Sequence, residues 1–107
     1  MSTETIPTYG ISTRSYSILM DYLKEQHSIE KVILFGSRAT GKARNGSDID
    51  LAISGDISFE EKLHFQAHIN QILPIPYTVD LVHLESVEDE NLLRHIEQFG
   101  KTLLEMK

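Results

Sequence analysis

The sequence contains no cysteine, which excludes a disulfide framework, a thiolate metal site and a cysteine nucleophile. It is also short of positive charge: ten Lys and Arg stand against sixteen Asp and Glu, a formal net charge of −6. An extended nucleic-acid groove needs a basic surface, so none is expected. Unbroken apolar runs fall far below the about 20 residues that span a bilayer. The first ten residues show no basic region followed by an apolar stretch. Neither a membrane segment nor a secretory leader is therefore expected, and a cytoplasmic location is the default. Repeats, low-complexity segments and internal linkers are missing too. What remains is 107 residues with a hydrophobic share of 40%. That is the size of one domain, able to bury roughly 60–65% of the surface its unfolded chain exposes.

The chain is organised around residues 32–53. Val32-Ile33-Leu34-Phe35 is a short apolar run rich in strand formers. Gly36-Ser37 stops it, glycine allowing close backbone approach and serine suiting a helix cap. After a loop, Ile49, Leu51 and Ile53 alternate with Asp48, Asp50 and Ala52. This period of two sends the three apolar side chains to one sheet face and both carboxylates to the other. The short return predicts antiparallel pairing, with Gly36-Ser37 beside Asp48 and Asp50. Backbone N–H groups at such a turn suit a phosphate. Carboxylates two residues apart on a strand, about 6.5 Å between Cα atoms, can converge on one or two hard cations. Three of the ten cations, Arg38, Lys42 and Arg44, fall within seven residues of the intervening loop, a local positive patch that suits a triphosphate.

Gly36-Ser37, ten intervening residues and then Asp48-x-Asp50 resembles the signature of the DNA polymerase beta-like nucleotidyltransferases. With Gly41 in the loop and Ser47 before Asp48, it is similar to their minimal nucleotidyltransferase branch, over roughly residues 13 to 104. Asn45-Gly46 stands where other members often carry different residues. The resemblance implies catalysis and Mg²⁺ binding, in a two-metal site, by Asp48, Asp50 and a third carboxylate, Asp80. It implies that Gly36 and Ser37 hold the phosphates of ATP, with Arg38 and Lys42 as further nucleotide contacts. It also implies transfer of AMP to an acceptor hydroxyl, a tyrosine above all. The acceptor would lie on a small helical HEPN-domain partner, as in an antitoxin of a toxin–antitoxin pair, so a hetero-oligomer is expected.

Along the rest of the chain, residues 1–11 read as a flexible arm and 12–107 as a single domain. Ser12 or Thr13 should cap a helix to about Gln26 with Ile18, Leu19, Tyr22 and Leu23 inward. Ser58 and Glu61 form a capping box opening a helix to about Leu73, with Phe59, Leu63, Ile69, Ile72 and Leu73 as core contacts. Pro74-Ile75-Pro76 leads into a third strand, about Tyr77 to Leu84. A crossover of this length joins parallel strands, setting Asp80 next to Asp48 and Asp50. A last helix, from about Asp89 to Gln98, turns Leu92, Leu93, Ile96 and Phe99 inward, and Lys101 to Glu105 suits a small edge strand. The expected fold is α/β: a small mixed sheet of order 1-2-3, helices mainly on one face and the carboxylates on the other.

Three other readings compete with this one. Residues 36–43 fit a P-loop up to Ala43, which lacks the hydroxyl that position needs for Mg²⁺. His64 and His68, i and i+4, have the spacing of a zinc pair without a third ligand, whereas His27, His83 and His95 show no partner pattern. Finally, a nucleotide-holding subunit could neutralise or regulate its partner by binding alone, though binding does not require three carboxylates.

Overall fold

The Ser12 hydroxyl accepts the Ser15 N–H and opens helix α1 (Thr13–Lys24) in the computed structural model, which describes residues 8–106. Strand β1 (Lys31–Phe35) follows, then a four-residue helix α2 (Ser37–Thr40) that ends at Gly41 in the left-handed region. Strand β2 (Ile49–Ser54) returns antiparallel to β1, pairing Phe35 with Asp50. The capping box forms: Ser58 and Glu61 satisfy each other's backbone N–H groups at the start of α3 (Phe59–Gln71). Strand β3 (Val79–His83) then runs parallel to β2 with Asp80 opposite Asp50. A single 3-10 turn (Leu84–Ser86), α4 (Glu90–Phe99) and β4 (Lys101–Glu105) complete the chain. The sheet order is β3-β2-β1-β4, so the expected 1-2-3 series is present and β4 extends it at the free edge of β1, antiparallel and with an irregularity between Val32 and Ile33.

The alternation in the strands sorts the two faces. Val32, Leu34, Ile49, Leu51, Ile53, Val79 and Leu81 meet Leu19 and Leu23 of α1 and Phe65 and Ile69 of α3 in the main core. The other face carries the carboxylates, as expected, and with α1 and α3 both on the core side the helices lie mainly on one face; α4 covers part of the other. Ile33, Phe35, Ala52 and Val82 leave an apolar patch beyond the carboxylates, and α4 covers it with Ile96 and Leu92. Covering that patch removes apolar surface from water and leaves the Asp50–Asp80 end of the sheet open.

Two expectations change. Phe65 and Ile69 of α3, spaced by four, and Leu73 just past its end pack into the core. Phe59 and Leu63 lie on a different stripe and Ile72 is the helix's C-cap, so all three are exposed, Phe59 to 69% and Ile72 to 65%. The N-terminal arm also ends earlier than residue 11. Ile11 is buried in the main core, because an apolar side chain beside the start of α1 has core surface within reach. Residues 1–7 of the expected arm lie outside the described residues.

Candidate active site

Gly36 is the joint between β1 and α2, at φ +77° and ψ −156°, a conformation closed to residues with a Cβ. A methyl group there would also run into Asp50 Oδ2. The register explains the close approach, since Phe35 pairs with Asp50 and the next residue must turn across that carboxylate. Asp80 stands opposite Asp50 on the neighbouring strand, on the same face. Asp48 lies just before β2 and is exposed, as is Asp80. The structure thus brings Gly36, Asp50 and Asp80 together, with Asp48 two residues away along the chain.

Electrostatics mark Asp50. Burial raises its pKa above the ordinary carboxylate value, the charges of Asp80 and then Asp48 raise it further, and His95 offsets part of the effect. As placed, these side chains do not make a closed ligand set: among the described residues no group of three or more His, Cys, Asp or Glu is arranged to hold a metal ion. Their chemistry nonetheless suits one, because hard cations take carboxylate oxygens and a cation relieves the crowding that Asp50 feels.

Asp80 is steadied by residues that sequence reading missed. β3 is an edge strand, and its outer backbone is satisfied by amide side chains of α3. Asn70 bonds both the N–H and the carbonyl of Val79 at 2.8 Å, and Gln66 accepts the Leu81 N–H at 2.7 Å. The residues on either side of Asp80 are therefore pinned. The available signal was two amides four apart on the helix before the strand, which share one helix face.

The basic loop divides. The Arg38 side chain turns inward and the residue is only 5% exposed. It donates through its two terminal nitrogens to the carbonyls of Tyr9 at 3.0 Å and Ser47 at 2.7 Å, and stacks over the Tyr77 ring at 5.2 Å. Tyr77 in turn accepts the Ser12 N–H. The expected nucleotide contact is thus engaged as a clamp between the arm, the residue before Asp48 and the segment before β3. Lys42 and Arg44, by contrast, are exposed. Arg38, Ala43, Arg44 and Asn45 line an open cleft of about 420 Å³ with Tyr9.

Two alternatives lose their footing. Helix α2 spans four residues and ends at Gly41, whereas a P-loop opens a long helix. His68 stacks on Tyr22 with ring centroids 4.5 Å apart, and His64 lies 6.4 Å from it; no third ligand joins them among the described residues. His95, which showed no pattern in the sequence, does meet the site: the Gly36 N–H donates to its Nε2 at 3.1 Å. No spacing rule could have found this pair, because the partners are 59 residues apart.

Known proteins resemble this chain in sequence and in fold. Residues 18–107 match the family model described as "Polymerase beta, Nucleotidyltransferase". A Methanocaldococcus jannaschii protein named "Putative protein adenylyltransferase" is 31% identical over 80 residues, covering 71% of this chain and 78% of that protein. Among solved structures, a toxin–antitoxin complex with AMP-PNP is similar at a TM-score of 0.70 and 23% identity, over 85% of this chain and 73% of that one. An MNT antitoxin in complex with tri-AMPylated Shewanella oneidensis HEPN toxin gives 0.61 and 21%, over 85% and 72%. The structural likenesses speak for the fold; the family model, spanning the sheet, the glycine turn and all three carboxylates, speaks for descent. The chain belongs to the polymerase beta nucleotidyltransferase family.

Proposed function

We propose that this chain transfers AMP from ATP to a hydroxyl group, a tyrosine above all, on a separate small helical HEPN-type protein in the cytoplasm, and so acts as the antitoxin of a toxin–antitoxin pair. The observation that carries this reading is Asp50 set between its strand neighbour Asp80 and the glycine turn at Gly36. An acidic platform and a backbone donor turn in contact are what a nucleotide's phosphates and their counter-cation require. The adenylyltransferase relative and the AMPylated HEPN toxin of the structural neighbour support the transferred group and the partner.

Asp48, Asp50 and Asp80 would hold Mg²⁺, as one ion or a pair. Such cations supply positive charge that stabilises the attacking and leaving oxygens of an in-line displacement. The rest falls to the chain's own groups. The glycine turn at Gly36 presents the Ser37 N–H, which the short helix leaves without an intrahelical acceptor, to hold the terminal phosphates. Exposed Lys42 adds a mobile positive charge. Asp80, exposed at the sheet edge between two pinned residues, orients the acceptor hydroxyl and takes its proton. The acceptor therefore docks over the open carboxylate end of the sheet, on the face that α4 shares.

The test is incubation of the chain with its HEPN partner, ATP and Mg²⁺, followed by intact-mass measurement. The partner should gain one or more AMP units, pyrophosphate should appear in proportion, and Asp80→Asn should stop both. A partner that binds tightly yet gains no mass, with no pyrophosphate released, would leave neutralisation by binding as the function.

A further inference from the structure

We infer that His95 is a positioning residue of this site: through Nε2 its imidazole holds the Gly36 N–H, and so fixes the glycine turn against Asp50. This inference rests on the reading of Gly36-Ser37 as a phosphate cradle, and goes beyond it by assigning a residue of α4 to that cradle.

Pairing of β1 ends at Leu34 on the β4 side and at Phe35 on the β2 side. The Gly36 N–H thus falls just past the ladder, at the first step of the chain toward α2. Helix α4 supplies its acceptor from across the chain, at 3.1 Å. A backbone N–H can only donate, so Nε2 must present its lone pair and the ring proton must reside on Nδ1. The bond specifies a neutral imidazole in one tautomer.

The imidazole is held firmly enough to act as a reference point. Its ring meets Phe35 edge-on with centroids 6.2 Å apart and Phe99 at 5.3 Å. The next residue, Ile96, is buried against Phe35 and Ala52. At the end of α4, Gly100 lets the helix lie directly on the sheet, because a Cβ there would strike the Ile96 carbonyl and the Ile33 side chain. Four elements therefore converge on the turn: β1 leads into it, Asp50 of β2 lies against it, α2 leaves it and α4 pins its N–H. The pin matters because Gly36 has no side chain of its own with which to choose among the backbone conformations open to it.

The experiment compares the wild-type chain with His95→Ala and His95→Gln, whose amide oxygen can accept the same bond. Three quantities are read: NMR hydrogen exchange of the Gly36 amide without nucleotide, the ¹⁵N signature of the His95 ring, and KM for ATP against kcat. The wild-type ring should show a bare Nε2 and a protonated Nδ1. His95→Ala should speed Gly36 exchange about fivefold or more and raise KM about three- to tenfold, with kcat within about twofold. His95→Gln should recover most of both losses. Should His95→Ala fail to fold, His95→Asn, too short to reach, takes its place.

A ring protonated at Nε2, unchanged Gly36 exchange in the variant, an unchanged KM, or a His95→Gln no better than His95→Ala would each overturn the inference. If the wild-type chain transfers no AMP, the functional reading fails instead. The ring signature and Gly36 exchange still decide the Nε2 bond, and the affinity for ATP in place of KM then decides the cradle.

Discussion

At each end of the β2–β3 pair a carboxylate, a glycine turn and a histidine come together, and the two ends have opposite electrostatics. At one end, Asp50 lies against Gly36 with Asp80 and Asp48 for neighbours, and its pKa is raised, first by burial and then by those two charges. At the other, Glu85 accepts the Ser54 hydroxyl at 2.6 Å and the Gly55 N–H at 3.1 Å, and lies 3.3 Å from His83 Nε2. His83 donates through Nε2 to the Gly55 carbonyl at 2.8 Å and meets Ser86 Oγ through Nδ1. Burial alone would raise the Glu85 pKa, but the hydrogen bonds and the His83 charge together bring it down. A carboxylate supplied with donors ties two turns together. A carboxylate set among carboxylates is left to recruit a cation, which is the property a transferase needs.

The largest effect that would break this contrast is at Asp50. Asp50→Asn should lower AMP transfer about 10³-fold or more while thermal unfolding shows stability unchanged or slightly higher, because a crowded charge is removed. An unfolded Asp50→Asn, or one with near-normal turnover, would place Asp50 in the structural class instead.

Next comes the division within the basic loop. Arg38→Met strands the Tyr9 and Ser47 carbonyls and should cost about 2–4 kcal/mol in denaturant unfolding. Lys42→Ala should stay within about 0.5 kcal/mol of wild type and weaken ATP binding only a few-fold. If Lys42→Ala abolished transfer and Arg38→Met unfolded normally, the assignment of clamp and mobile cation would be reversed.

A smaller effect is expected at the donor-rich end. Glu85→Gln should lower stability by about 1 kcal/mol or less, given its exposure, and leave kcat and KM for ATP unchanged. Loss of transfer in that variant would connect the two ends functionally.

The finest test is the sign of the pH dependence. Asp50, with its folded pKa raised, contributes stability that is present below its unfolded pKa and lost as pH rises through the folded value. Glu85, with its folded pKa lowered, contributes stability present above its unfolded pKa and lost as pH falls through the folded value. Unfolding free energies measured over about pH 3 to 7 should therefore show Asp50→Asn gaining on wild type toward the upper end of that range and Glu85→Gln losing on it there. Parallel slopes would mean that the two carboxylates share one kind of environment.

Much of the fold was legible before the structure. The period of two in Ile49–Ile53 sorted β2 into an apolar and an acidic face, the capping box at Ser58 and Glu61 marked the start of α3, and the length of the crossover set β3 parallel to β2 with Asp80 near the other carboxylates, while the register that pairs it with Asp50 came from the structure. The helices were harder to read. Phe59, Leu63, Ile69 and Ile72 look equally apolar in sequence, yet it is Phe65 and Ile69 of α3, with Leu73 just past its end, that pack into the core.

What the sequence by itself determined, then, were the features that neighbouring residues settle among themselves: alternation along a strand, a cap three residues from its partner, a glycine turn and two carboxylates in fixed order. Tertiary structure decided where long side chains go. Arg38 turned from the expected phosphate to the carbonyls of Tyr9 and Ser47, 29 and 9 residues away. His95 gained a role through Gly36, and Gln66 and Asn70 through the edge of β3. The reason is physical: a backbone pattern is fixed by local geometry, whereas a flexible polar side chain goes to whichever unsatisfied group the finished fold brings within hydrogen-bonding reach.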